Sequence, residues 1–167
     1  MRLLQFVAVI LTALALVPSG AHLFELPHKL ALSKEQYFVV QSIYRGWSLF
    51  GAVIIAAIAA NLLLAVMLFR RGKAFWLNFA AGLILAGTLA IFFEWTYPAN
   101  QATSNWTVQS ADWETLRRQW ELSHAANAVL TFVALCCAAL SAIRSADCSN
   151  PPSRRAAAYS VPDRWDS

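Results

Sequence analysis

Four stretches of the chain are each long and apolar enough to cross the ~30 Å hydrocarbon core of a bilayer, which takes about 20 helical residues. They cover residues 3–25, 46–69, 74–97 and 120–143. Backbone groups in lipid must be satisfied within the segment or within a closed barrel, and these runs lack the two-residue alternation of barrel strands. The prediction is therefore all-α: a four-helix transmembrane bundle over residues 1–143, followed by a polar tail over 144–167. Composition agrees, because 59% hydrophobic and 13% charged residues, with a mean hydropathy of +0.50, exclude an ordinary soluble domain.

The second run, GWSLFGAVIIAAIAANLLLAVMLF, carries Asn61 as its only amide and no charge. The third begins AFWLNFAAGLILAGTLAIFF and meets its first acid, Glu94, in its last turn. The first, MRLLQFVAVILTALALVPSGA, has the basic start and small-residue end of a secretory signal. We read it as a retained span; its removal would leave three spans with unchanged orientation. The tail gains Pro, Ser, Arg and Asp and is expected to be disordered and cytoplasmic. Cys136 and Cys137 are adjacent in an apolar run and Cys148 lies in the tail, so no disulfide or zinc spacing is expected.

Orientation follows from where Lys and Arg fall, since they are retained on the cytoplasmic side. Arg2, Arg70, Arg71, Lys73, Arg144, Arg154, Arg155 and Arg164 lie on one side, against Lys29, Lys34, Arg45, Arg117 and Arg118 on the other. Both termini are predicted inside. These basic groups are too dispersed for a nucleic-acid partner. No phosphate-binding loop, nucleophile elbow or internal repeat is present, and nothing sets an oligomeric state. Asn105-Trp106-Thr107 has the pattern of a glycosylation acceptor.

The polar residues gather at the outer ends of the spans. His22, Glu25 and His28 leave the first; Gln41, Tyr44 and Arg45 precede the second; Glu94 and Tyr97 leave the third; Arg117, Glu121, His124 and Asn127 enter the fourth. At about 100° per residue, Trp113, Arg117, Trp120, Glu121, His124 and Asn127 share an arc of about 120°. Two readings are open. Arg117 and Glu121 could pair along their helix, and Trp106, Trp113, Arg118, Lys29 and Lys34 suit an interfacial belt. Alternatively, ionisable groups at this depth face a cavity, here an outward-opening pocket framed by Trp95, Tyr97, Trp113 and Trp120.

A transition-metal site is the sharper version of the second reading. Glu25-Leu26-Pro27-His28 and Glu121-Leu122-Ser123-His124 both have the Glu-x-x-His spacing of di-iron bundles. Glu94 could add a carboxylate and His22 an imidazole, but Pro27 is expected to end or bend its helix, and the second span offers no acid.

The stretches GAHLFELPHKLALSKEQYFVVQSIYRGW, FEWTYPANQATSNW and DWETLRRQWELSHAANAVL resemble the anthrone oxygenase-like family of small four-span membrane proteins, over about residues 5–143. The resemblance implies an integral protein of a bacterial inner membrane. It also implies oxidation of a hydrophobic anthrone- or quinone-like molecule without an added organic cofactor. For such chemistry His124 or Glu121 is the candidate base, with Glu94 as a further acid. Arg117, Tyr97 or Asn100 would hold the enolate oxygen, and Trp95 or Trp120 would stack on the rings. His22, Glu25, Tyr44, Trp113 and Asn127 complete the candidate substrate-binding set. The alternative is a non-catalytic membrane protein that binds a lipid or protein partner.

Single cysteines should report the orientation directly: one at position 72 is expected to label only from the cytoplasm and one at 104 only from outside. The reverse pattern overturns it.

Overall fold

The structure, a computed structural model, describes residues 1–147; among them there is helix and turn but no strand. Helix α1 is Arg2–Ala31, α2 Lys34–Gln41, α3 Phe50–Met67, α4 Lys73–Ile91, α5 Tyr97–Ala102 and α6 Trp113–Asp147. Four helical stretches are long and apolar enough to cross a membrane: Arg2–Ala31, Trp47–Met67, Lys73–Ala102 and Trp113–Ser145. They form a closed square in which α1 packs on α3 and α6, and α4 on the same two. Helix α6 runs past residue 143 to Asp147. The remainder of the expected tail, with Cys148, lies outside the described residues.

The packing is inverted relative to a soluble bundle. Ala8, Ala15, Ala57, Ala81, Ala134 and Ala138 line the interior, while Phe6, Leu14, Ile55, Val66 and Phe132 point outward. Lipid is as apolar as Leu, so burying large side chains gains nothing there; close backbone approach and interhelical hydrogen bonds do the work instead. Asn61 Nδ2 donates to Thr12 Oγ1 at 3.2 Å, joining α3 to α1, and Asn78 Nδ2 donates to Ser141 Oγ at 2.6 Å, joining α4 to α6. Where α3 meets α4, a Cβ on Gly82 would stand 2.6 Å from Leu62 Cδ2. Gly72, at φ +49°, lies in the short turn that reverses the chain between those helices.

Two departures from regular helix position the site. Helix α1 continues through Pro18 and Pro27 to Ala31, so Pro27 does not end it. Proline there removes a single backbone bond in the penultimate turn, and Arg117 holds the end of the helix from outside by donating to the carbonyls of Lys29 and Leu32. Between α4 and α5 the chain widens into a π-helical turn, Phe92–Thr96. Eight regular residues would turn Thr96 about 80° away from Thr88; both are buried, because the wider turn takes up the offset.

Replacing Gly82 by Val should push α3 from α4 and cost about 1–3 kcal/mol, as overpacking does elsewhere. Detergent-titrated unfolding of the purified protein measures this, and an unchanged midpoint contradicts the close approach.

Candidate functional site

Lys29 is the centre of the polar cluster. It sits on the face of α1 that His22 and Glu25 share, seven and four residues earlier, and is only 3% exposed. Its ammonium lies 3.1 Å from Glu121 Oε1 and 3.5 Å from Glu25 Oε2. It also lies 3.0 Å from His22 Nδ1, which must accept, because an ammonium only donates. Tyr44 and Trp120 present their rings to the same cation at 4.3 and 5.0 Å.

Glu121 is fully buried on α6 and has a second donor, Tyr37 OH at 3.0 Å, which in turn accepts from Gln41 Nε2. Burial first, and then the Glu121 carboxylate, push the Tyr37 phenol far above its ordinary value, so it keeps its proton and donates. Tyr44 donates to Glu25 and is held protonated in the same way, by burial and then by that hydrogen bond. Helix α2 delivers Tyr37 and Gln41 because Ser33 and Gln36 form a reciprocal cap at its start.

An aromatic floor lies beneath. The His22 and His124 rings are 4.4 Å apart, Trp120 is 4.2 Å from His124, and His22 also meets Tyr44 and Trp47. Asn100 Oδ1 accepts from both Trp120 Nε1, at 2.8 Å, and Trp106 Nε1, at 3.2 Å. Trp106 is buried at the end of three consecutive left-handed residues, Ser104, Asn105 and Trp106. Such backbone costs on the order of 1–3 kcal/mol per residue. Thr103 helps fix it: its hydroxyl donates to Ala99 O and accepts from Trp106 N.

Of the residues singled out in the sequence, the structure brings together His22, Glu25, Tyr44, Trp120, Glu121 and His124. Arg117 is buried beside them but does not pair with Glu121. Its guanidinium stacks over Trp113 at 4.5 Å while bonding the end of α1. Asn127 is buried a turn deeper than His124, with Oδ1 unbonded. Three expectations are corrected. Glu94, Trp95 and Tyr97 are exposed and do not frame the pocket, because Thr96 takes the inward position and bonds Ser123 at 2.7 Å. His28 is likewise exposed. The six proposed metal donors therefore do not all converge: His28 and Glu94 stand exposed, apart from His22, Glu25, Glu121 and His124. Among the described residues no three His, Cys, Asp or Glu side chains are gathered as a metal site, and an ammonium stands where a cation would.

Sequence reasoning missed Lys29, assigned to the interfacial belt, and also Tyr37, Trp47 and the buried Trp106. For Lys29 a signal existed, since His22, Glu25 and Lys29 share one helix face. Tyr37 gave none.

A cleft of about 350 Å3 opens beside the cluster, walled by Phe24, Leu32, Val40 and Ile43, with Glu25, His28, Lys29 and Tyr44 at its polar side. The Glu25 side chain is 42% exposed, so it is the reachable carboxylate, whereas Glu121 is sealed. No known family pattern, characterised protein or solved structure matches the chain.

Changing Lys29 to Met should destabilise the fold by about 3–5 kcal/mol, because it leaves Glu121 buried without a counter-ion. Adding Glu121→Leu should restore much of the loss. A double variant as unstable as the sum of its parts would show that the two charges do not interact; a thermodynamic cycle from unfolding midpoints measures it.

Proposed function

We propose that the chain is an integral membrane oxygenase acting on a planar, weakly acidic aromatic molecule such as an anthrone. In this reading both termini are cytoplasmic, the Lys29 network lies at the outer face of a bacterial inner membrane, and substrate enters from the lipid. The inside-out packing and the gathering of basic residues at the opposite end support the placement. The observation that carries the function is a buried ammonium, shared by two carboxylates and an imidazole, at the side of an apolar cleft that one of those carboxylates reaches.

The chemistry needs a base, an anion holder and dioxygen. Glu25 takes a proton from the ring carbon opposite the carbonyl, and the electron pair left behind delocalises onto the carbonyl oxygen. Protonation of Glu25 releases the two donors it held, Lys29 and the Tyr44 hydroxyl, and these stabilise the enolate oxygen. The carbanion carbon then adds O₂ and the peroxide is protonated. Loss of water leaves a second ketone, so a CH₂ group and O₂ become C=O and H₂O. Glu25 is better placed for this than Glu121 or His124, because it lines the cleft and is partly exposed, whereas neither of the others lines it.

One observation favours a second reading. Every hydrogen-bonding side of Lys29 is met from within the protein, as in a network that only locks α1 to α6. The chain would then be a non-catalytic membrane protein that takes a lipid or protein partner.

Oxygen uptake by purified protein supplied with anthrone separates the two. Consumption above the spontaneous rate is expected, and Glu25→Gln should lower kcat/KM by about 10²-fold or more with the fold intact. Folded protein with no uptake above background supports the second reading.

A further inference from the structure

We propose that the end of the bundle remote from Lys29 holds a binding site for one anionic phospholipid. An open cleft of about 500 Å3 lies there between the start of α1 and the end of α6, reaching the α3–α4 turn. Arg2 and Arg71 stand among its lining residues, Gln5 and Ser145 provide its polar groups, and Phe6 and Ile143 belong to its apolar walls.

Two of these groups point to a ligand. Gln5 is 7% exposed and Ser145 8%, yet Gln5 Nε2 and Ser145 Oγ have no hydrogen-bond partner. Buried donors are ordinarily satisfied, because leaving them bare costs free energy. Both can donate, so their missing partner is an acceptor. Arg71, exposed beside them, makes it an anion, and among the described residues that line the cleft there is no acid.

The walls decide which anion. Phe6 and Ile143 are large, apolar and more than half exposed, on helices long and apolar enough to cross a membrane. A free phosphate would fill the polar corner and leave that surface bare. A phosphodiester carrying acyl chains fills both, with its oxygens on Gln5, Ser145 and Arg71 and its chains along the groove. A choline headgroup would set its own cation against Arg71, so the ligand is a lipid of net negative charge, such as phosphatidylglycerol. Its headgroup would tie together α1, the α3–α4 turn and α6, which share no covalent link at that end.

Native mass spectrometry of detergent-solubilised full-length protein tests the site with phosphatidylglycerol, phosphatidylcholine and glycerol 3-phosphate as separate probes. Phosphatidylglycerol should be retained about fivefold or more over phosphatidylcholine. Arg71→Gln, at an exposed position expected to fold normally, should cut that preference by about fivefold. Gln5→Leu should weaken retention of phosphatidylglycerol further. Equal retention of the two lipids, or an unchanged preference in folded R71Q, overturns the proposal. Displacement of the lipid by glycerol 3-phosphate at equal concentration would show a soluble-anion site, and overturns it too.

Discussion

A buried ammonium has to be compensated, and Lys29 is compensated by protein groups on three sides. That requirement organises one end of the bundle. Its own helix supplies Glu25 and His22 by periodicity, but the strongest partner, Glu121, comes from α6, so the two helices must meet in a fixed register. Glu121 then needs further donors to offset its own burial, which fixes Tyr37 and, through it, the short helix α2 and Gln41. Arg117, a turn earlier on α6, falls level with the end of α1 and closes it. A chain of polar contacts thus carries the constraint from one side chain to three helices.

The interior behind that end is built to hold the register. Small residues let the helices approach closely, and the asparagine contacts at Thr12 and Ser141 join neighbouring helices in pairs. Each such bond is modest in lipid, on the order of 0.6 kcal/mol, so what they add is mainly alignment. Small residues and a few interhelical amide contacts thus align the middle of the scaffold, while its charged groups gather at the ends: a cluster compensated from within around Lys29, and a basic one around Arg71.

The four spans were legible because length and hydropathy are properties of single segments. The gathering of His22, Glu25, Tyr44, Glu121 and His124 was legible for a related reason: each lies near a span end on the same side. What one segment cannot reveal is which face turns inward. Glu94 lies sixteen residues after Asn78, about 160° round a regular helix, so the burial of Asn78 puts Glu94 outside; from the sequence alone either could have faced in. Lys29 looked like a snorkelling side chain because its neutralising acid lies in another helix. Tyr37 sits on a short connecting helix whose buried face no span fixes in the sequence, and Trp106 is buried only because of a backbone turn that its own residue type disfavours.

The π-helical turn at Phe92–Thr96 leaves a particular legacy. A turn of this kind holds one residue more than the helix around it, so it acts as a phase adjuster between a lipid-facing rod and the cap above it. Excising a single residue there would leave the lower part of the rod undisturbed while swinging Thr96, Ala99 and Thr103 out of alignment together. The scaffold and the cap can thus drift apart in evolution by single-codon steps, the mouth being retuned without recasting the barrel of helices beneath it.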